Sequence, residues 1–364
     1  MKLLEEYRDP ATVRLLADAV ARIATKPWRL MEVCGGQTHS ILENGIDSLL
    51  PDAITLVHGP GCPVCVTPAR SIDTASGLAC RHEAVVCTFG DMLRVPGAST
   101  DLMTARSAGG DVRIVYSPMD ALGMARSDPS REYVFFAVGF ETTVPVTATA
   151  VLRARASGTG NFTVLNAHVR VPPALEWILA MPDCAVDGVL AAGHVCAVTG
   201  YEEYEPMAAR HSTPIVVTGF EPVDILQGIL MGISMLEAGE ARVENQHARV
   251  VCREGNPAAM AMAREVFEHA DADWRGLGVI PGGGWAFREG FRSFDAASRF
   301  GAVPDCPDPG DGVCMAAKVL TGVLEPTCCP AFGRDCTPGS PLGAPMVSSE
   351  GACAAYFIYR GGGR

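Results

Sequence analysis

Short apolar, β-branched runs alternate with helix-like segments over the first 240 residues of the chain. The runs predict strands at 53–58, 84–90, 112–117, 133–139, 162–168, 187–194 and 213–219. The helix-like segments lie at 67–80, 119–127, 142–155, 172–181 and 222–238. Strands that are apolar throughout, rather than alternately apolar and polar, are typical of parallel sheets covered by helices on both faces. The pattern therefore predicts an α/β protein with two doubly wound parallel-sheet domains, a better fit than one barrel.

The pattern changes twice further along the chain. A polar stretch, "EAGEARVENQHARV" (237–250), interrupts it near residue 240. Beyond about residue 275 the chain is rich in Gly, Pro and Cys, and "IPGGGWAFREGF" (280–291) is expected to be a glycine-rich loop. A segment with so little periodicity needs another source of stability, which a metal cluster would supply. We predict domains at 1–133, 134–240 and 241–364, the last a Cys/Gly/Pro-rich iron–sulfur domain.

Composition and charge narrow the functional classes. The 364 residues are 48% hydrophobic, and 29 basic against 41 acidic side chains give a formal charge of −12. Nucleic-acid binding has little electrostatic support in such a chain. The charged amphipathic N-terminus is unlike a secretory signal, and the longest apolar stretch (223–239) is shorter than the roughly 20 residues of a membrane span. We expect a cytoplasmic protein with no membrane segment.

Fourteen cysteines are many for such a chain. In a reducing compartment they favour metal ligands, redox thiols or small core residues over structural disulfides. Four of them lie far apart in the Gly- and Pro-rich C-terminal region: Cys314, Cys329, Cys336 and Cys353. Four thiolates suit either tetrahedral zinc or a [4Fe–4S] cluster, and the wide spacing with a Cys-Pro step favours iron–sulfur. Cys328 and Cys329 are adjacent and cannot easily both bind one metal, so one of the two is spare, and simple burial of all these thiols is the structural alternative.

A second group of cysteines follows a predicted strand. In "HGPGCPVCVTP" (58–68), Cys62 and Cys65 lead directly from a glycine turn into a helix-like segment. A helix N-terminus lowers the pKa of a thiol and favours a reversible dithiol/disulfide pair. A zinc half-site is the competing interpretation, although no second Cys-x-x-Cys is present.

Cys34 stands alone in "MEVCGGQTHSILENG" (31–45), and could be a core residue, half of a disulfide, a nucleophile or a metal ligand. Gly35 and Gly36 would let a ligand or a partner backbone approach the thiol. His39 is close enough in sequence to act as a base or an orienting group. Glu141, in "VGFETTVPV" (138–146), begins a predicted helix, where capping alone would explain an acidic residue.

Five stretches together resemble the HypD family of hydrogenase maturation factors: "MEVCGGQTHSI", "HGPGCPVCVTP", "FAVGFETTVP", "PGGGW" and "CCPAFGRDCTPGSPLGAPMVSSEGACAAY". The resemblance covers nearly the whole chain, in the family's order. It implies two α/β domains and a third domain that carries a [4Fe–4S] cluster. It further implies a scaffold that, with the small partner HypC, assembles the Fe(CN)2CO unit of [NiFe]-hydrogenase and receives cyanide from the HypE–HypF pair.

The resemblance also implies roles for individual residues. Cys34 would bind the iron that carries cyanide and carbon monoxide, sharing it with a HypC cysteine until transfer. Cys62 and Cys65 would form a thiol/disulfide pair in the same cleft, near Glu141. The implied cluster ligands are Cys314, Cys329, Cys336 and Cys353. On this hypothesis electrons pass from the cluster through Cys62 and Cys65 to the iron at Cys34, within a hetero-complex in which the chain is a monomer.

Two other classes stay open at this stage. A thioredoxin-like disulfide oxidoreductase would need only the Cys-x-x-Cys pair and would leave Cys34 unexplained. A zinc-stabilised binding module would use the C-terminal cysteines and have no catalytic role. Whether the chain is an enzyme in its own right or a redox-active assembly scaffold is not decided by the sequence.

Overall fold

The computed structural model describes residues 5–81, 84–301 and 314–361, so that Cys306 lies outside the described residues. Along these residues the strands are β1 (Trp28–Glu32), β2 (Ile54–His58), β3 (Val85–Thr88), β4 (Val112–Ile114), β5 (Tyr133–Gly139), β6 (Phe162–His168), β7 (Gly188–Ala192), β8 (Ile215–Thr218), β9 (Val243–Asn245), β10 (Phe267–Trp274) and β11 (Gly278–Phe287).

Helices connect most of these strands. They are α1 (Pro10–Ile23), α2 (Gly35–Glu43), α3 (Ile46–Leu49), α4 (Pro63–Val66), α5 (Ala69–Arg81), α6 (Leu102–Ser107), α7 (Pro118–Ser127), α8 (Val144–Ala156), α9 (Val171–Leu179), α10 (Gly193–Thr199), α11 (Tyr204–His211), α12 (Pro222–Ala238), α13 (Pro257–Val266), α14 (Ala296–Phe300), α15 (Ala316–Leu320) and α16 (Ala352–Arg360). Short 3-10 helices lie at Glu6–Arg8, Gly90–Arg94, Glu289–Phe294, Pro326–Cys328 and Ala344–Met346.

Two parallel sheets confirm the predicted α/β class. The first has the order β2-β1-β7-β8-β9 and the second the order β4-β3-β5-β6. The chain thus begins the first sheet, builds the whole second sheet, and returns to complete the first. The segments 1–133 and 134–240 each contribute strands to both sheets, and the domain boundaries stay a prediction from sequence.

Both faces of the first sheet are covered, as the continuously apolar strands predict. Leu30 of β1 packs with residues of α1 and α12, whereas its neighbour Met31 packs on the other face with residues of α9, α10 and α11. The second sheet repeats this arrangement at β5, where all seven residues are buried. Phe135 and Phe136 belong to separate cores on its two faces. Alternate residues of one strand therefore serve two different cores.

The stretch 280–291 is not a loop, and this expectation from its glycines is wrong. Most of it forms strand β11, which pairs antiparallel with β10 in a hairpin. Trp274 and Phe267 of β10 are fully buried, and Trp274 Nε1 donates a hydrogen bond of 2.9 Å to the Gly283 carbonyl. The buried aromatic side chains and this hydrogen bond stabilise a strand whose glycines have low β-propensity.

The remaining residues, 314–361, contain only short helices besides α16, and their apolar core is small: Ala331, Cys336, Met346 and Ala354. No helix of the described residues is long and apolar enough to cross a membrane.

Candidate thiol cleft and four-cysteine pocket

Cys34 lies where the order of the first sheet reverses. The chain passes from β1 to β2 on one side, whereas β7 pairs with β1 on the other. Ligands of open parallel sheets bind at such a switch point, beyond the carboxyl ends of the strands. Cys34 follows β1 by two residues and has extended backbone as the N-cap of α2. Its position is therefore one that parallel α/β folds commonly use for binding.

The loop after β2 presses directly against the Cys34 loop. The Gly35 N–H donates to the Gly61 carbonyl at 2.8 Å, and the Gly59 N–H donates to the Glu32 carbonyl at 2.7 Å. A Cβ atom on Gly61 would lie 2.2 Å from the Cys34 nitrogen. Only glycine lets the two backbones come this close. The loop that carries Cys62 thus abuts the loop that carries Cys34.

Cys62 and Cys65 form a disulfide, with their Cα atoms 5.3 Å apart. Cys62 is the N-cap of the short helix α4, and its Sγ accepts the Cys65 N–H at 3.3 Å. Both residues are buried, with 3% and 1% exposure. Their burial therefore shields the two sulfur atoms from oxidants and reductants in the solvent.

The Cys34 thiol is held in its neutral form. Burial raises its pKa to about 12, and the carboxylates of Glu32 and Glu350 contribute in the same direction. The Glu32 carboxylate also accepts the Cys34 N–H at 2.8 Å, which fixes the loop backbone. A thiol of this kind becomes a ligand when a cation replaces its proton.

His39 lies on α2, one turn beyond the start of the helix, and is half-buried. Its Nε2 pairs with the Tyr359 hydroxyl at 2.9 Å, and the two rings meet edge to face. The structure thus places one nitrogen of His39 against the C-terminal helix α16. On the opposite side of the loop, the Phe220 ring lies over Gly36 and stacks on His194.

Glu141 is almost fully buried, at 1% exposure. Its Oε1 accepts the Val171 N–H at 3.0 Å, whereas its Oε2 has no hydrogen-bond partner among the residues that the structure describes. Burial raises the pKa of Glu141 to about 7, against smaller opposing effects that include the nearby Arg170. The capping interpretation is wrong for α8, the helix that follows Glu141 in sequence, because its N-cap is Thr143 and no side chain of the described residues caps it; Glu141 instead accepts the first N–H of α9.

Cys196 lies near both Glu141 and Cys34, and no motif of the sequence gives it a functional role. It is 0% exposed, and burial, Glu141 and Cys34 all raise its pKa. Sequence reasoning also gave no role to Glu32 and His58, which are buried and joined by a 2.6 Å contact between His58 Nδ1 and Glu32 Oε1. No local pattern could have paired residues that lie 26 positions apart.

The C-terminal cysteines meet in one pocket. Its lining includes Cys314, Cys329, Cys336 and Cys353, together with apolar residues such as Phe332 and Met346. Burial raises the pKa of Cys353, and the proximity of the other three thiols raises it further. The Leu342 N–H points to Cys336 Sγ at 3.4 Å. Cys328 is exposed and does not line this pocket, whereas Cys329 does.

Within the described residues, no three or more His, Cys, Asp or Glu side chains stand ready to hold one metal ion. Four thiols around an apolar cavity still form a donor set for iron–sulfur, since thiolate is the ligand that such clusters take and a cluster is larger than a single ion. The residues present therefore fit a cluster by the chemistry of their donors. Cys34, in contrast, offers one partly exposed thiol.

Two interleaved parallel sheets, a thiol beside a buried disulfide and a separate four-cysteine pocket define a thiol-rich α/β protein. The family profile HypD, described as "Hydrogenase formation hypA family", matches residues 11–360. The chain is 45% identical over 373 aligned residues to hydrogenase maturation factor HypD of Rhodobacter capsulatus, with 99% of both chains covered. The Escherichia coli factor of the same name is 45% identical, with 99% of this chain and 98% of the relative covered.

The chain belongs to the HypD family. A third relative, hydrogenase maturation factor HypD of Cupriavidus necator, is 43% identical over 370 residues, with 99% of this chain and 97% of the relative covered. The general role of the protein is hydrogenase maturation, and it takes part in the machinery that matures hydrogenases.

Proposed function

We propose that the chain is the scaffold on which the Fe(CN)2CO unit of [NiFe]-hydrogenase is assembled, with a HypC-type partner completing the iron site and a HypE–HypF-type pair supplying cyanide. The observation that carries this proposal is the backbone contact between the Cys34 loop and the Cys62–Cys65 loop. One loop offers a ligand and the other a group that can change redox state. Because the two loops are in contact, iron binding at Cys34 and the redox change of the Cys62–Cys65 pair would take place side by side.

Cys34 would take the iron, which is the cargo of this reaction. The thiol is the soft ligand that low-spin iron with cyanide and carbon monoxide prefers. Binding exchanges the thiol proton for the metal, which overcomes a pKa of about 12 because the cation stabilises the thiolate. A single protein thiol leaves coordination positions for a second cysteine from the partner and for the diatomic ligands.

The disulfide would serve as an electron reservoir. Its reduction takes two electrons and two protons, breaks one S–S bond and gives the thiols of Cys62 and Cys65. A [4Fe–4S] cluster held by Cys314, Cys329, Cys336 and Cys353 would supply those electrons one at a time. Burial of the disulfide favours this internal role over general thioredoxin-like exchange with other proteins.

Infrared spectroscopy of the chain co-purified anaerobically with its small partner tests the proposal. Cyanide and carbon monoxide bands are expected in the wild-type complex and absent in Cys34→Ala. Cys252→Ala is the matched control, because Cys252 is exposed and lies in neither site. Bands that persist in Cys34→Ala would place the iron elsewhere.

Metal analysis of the same preparation tests the pocket. Five iron and four sulfide per chain are expected, one iron at Cys34 and four in the cluster, and stoichiometric zinc would instead identify a zinc-stabilised module. Cys353→Ala should remove the cluster iron and the sulfide, whereas Cys328→Ala should retain them because Cys328 does not line the pocket.

A further inference from the structure

Helix α16 connects the four-cysteine pocket to the Cys34 cleft through two tyrosine–histidine pairs. Its second residue is Cys353, and Tyr356 and Tyr359 follow on successive turns. The Tyr356 hydroxyl contacts His58 Nε2 at 3.1 Å, and the Tyr359 hydroxyl contacts His39 Nε2 at 2.9 Å. Each pair also meets edge to face, with ring centroids 5.3 Å and 5.1 Å apart. Helix α16 is thus held by one contact to strand β2, through His58, and by one contact to helix α2, through His39.

The contact between Tyr356 and His58 continues, through Glu32, to the backbone of Cys34. His58 Nδ1 contacts Glu32 Oε1 at 2.6 Å, and Glu32 Oε2 accepts the Cys34 N–H at 2.8 Å. His58 and Glu32 are 4% and 1% exposed. A buried polar chain of this kind holds its members in place, since a broken link leaves a desolvated group unpaired. The position of the Tyr356 hydroxyl therefore influences the loop that carries the thiol.

The contact between Tyr359 and His39 holds helix α2, which starts immediately after Cys34. His39 lies on this helix, so its bond to Tyr359 holds α2 against α16. The backbones of Gly35 and Glu350 also lie close together, because a Cβ on Gly35 would be 2.5 Å from the Glu350 carbonyl oxygen. The N-terminal end of α2 and the segment just before α16 are therefore in direct contact.

Helix α16 belongs to residues 314–361, a segment that has little apolar packing to hold the helix in place. Residues 314–361 have a small apolar core and mostly short helices. Linking Cys353 to the three other thiols of the pocket through one bound group would restrict this segment and α16 with it. Coupling of this kind between two sites is reciprocal in binding free energy.

We infer that Tyr356 and Tyr359 are positioning residues, which transmit the state of the four-cysteine pocket to the loop that presents Cys34. The inference rests on the proposed function, in that a cluster occupies the pocket. It adds a role for that pocket beyond electron supply. A cluster bound in the pocket holds α16 in place. The hydrogen bonds of Tyr356 and Tyr359 then fix the Cys34 loop in the geometry that accepts iron.

The test follows the alkylation of Cys34 by iodoacetamide, resolved by peptide mass spectrometry under anaerobic conditions. Wild type and the double variant Tyr356→Phe/Tyr359→Phe are compared, each cluster-free and after reconstitution with ferrous iron and sulfide. The reconstituted proteins are desalted and used only at four iron per chain, so that Cys34 itself carries no iron. The phenylalanine rings keep the packing and remove only the hydroxyls. A cavity of about 170 Å³ lined by Tyr356 and His58 lets water replace the lost hydroxyl, so the variant should fold.

In wild type, reconstitution should slow the alkylation of Cys34 at least fivefold, and in the double variant the ratio should fall to about one. Cluster-free, the double variant should already react at least fivefold faster than wild type. Tyr116→Phe is the matched control, because Tyr116 is 91% exposed. The fully buried Cys87 is the internal reference, since a general loosening of the fold would accelerate its reaction as well.

Equal Cys34 rates in the cluster-free wild type and double variant, or a parallel acceleration at Cys87, would overturn the positioning role. An unchanged fivefold ratio in a double variant that has taken up iron and sulfide would overturn the coupling. Failure of wild type to take up iron and sulfide would instead contradict the proposed function, and the coupling with it, while the cluster-free comparison still decides the positioning role.

Discussion

Glu141 should make the stability of the fold depend on pH near neutrality. Its pKa is raised by burial from the ordinary 4.5 to about 7, so folding favours the protonated acid. At low pH the carboxyl group of Glu141 is protonated in both the folded and the unfolded chain, so it contributes no pH-dependent loss of folding free energy. As pH rises from 4.5 to about 7, the unfolded chain gains an ionised carboxylate that the folded chain resists, and stability is lost. Above about pH 7 the loss is complete.

The variant Glu141→Gln removes this penalty and keeps the geometry. The amide oxygen can still accept the Val171 N–H, and the amide nitrogen takes the place of the protonated Oε2. At about 1.4 kcal/mol per pKa unit, the variant should exceed wild type by about 1 kcal/mol at pH 5, about 2 kcal/mol at pH 6 and about 3 kcal/mol above pH 7.5.

Urea unfolding followed by tryptophan fluorescence, on cluster-free protein from pH 5 to 8.5, measures this difference. Glu237→Gln is a control with the opposite behaviour. Hydrogen bonds from Thr25 and Trp28 lower the pKa of Glu237 to about 2, so its stabilising effect is fully present throughout this range. The control should therefore be destabilised by an amount that does not change with pH. A Glu141→Gln variant that is less stable than wild type at pH 8, or a difference that stays constant from pH 5 to 8, would refute the reasoning.

Two further substitutions examine the packing around the cleft. Gly61→Ala should lower the free energy of unfolding by about 2 kcal/mol in urea melts, because the new methyl group overlaps the Cys34 nitrogen. Gly123→Ala is its control, since nothing lies within 4 Å of the new Cβ on helix α7, and it should raise stability by about 0.5–1 kcal/mol; equal effects would contradict the overlap. Asp224→Asn should cost about 1.5–3 kcal/mol in the same assay, because the buried Asp224 carboxylate loses its charge-assisted hydrogen bonds with Arg249; a loss below about 0.5 kcal/mol would show that the pair is not stabilising.

Local patterns were sufficient to predict most strands of the two sheets. The β5 run is apolar at every position because both of its faces are covered, and its predicted bounds are the observed ones. The hairpin strands escaped prediction since β10 reads "FEHADADW" and β11 contains three consecutive glycines. Their stability comes from buried aromatic side chains and from pairing with each other, neither of which a local pattern contains.

The candidate site likewise contains residues that local sequence patterns indicate and residues that come together only in the folded chain. Cys34, Cys62 and Cys65 could be found from sequence, because each stands in a glycine- or proline-rich turn after an apolar run. Glu32, His58 and Tyr356 could not, because they meet only once strands β1 and β2 pair and α16 docks. The order of the first sheet was equally hidden, since β1 pairs with β7, a strand about 160 residues later in the chain.

The interleaving of the two sheets sets an order of assembly during synthesis. Strands β3 to β6 are consecutive in the chain and can pair with one another before β7 is made, although residues 260–291 complete one of their cores later. Strand β1 must wait for β7 before its second edge is paired. The Cys34 loop waits longer still, until the tyrosines at positions 356 and 359 have been made. Until then its thiol lacks the environment described for the finished fold, so the cleft is among the last parts of the molecule to mature.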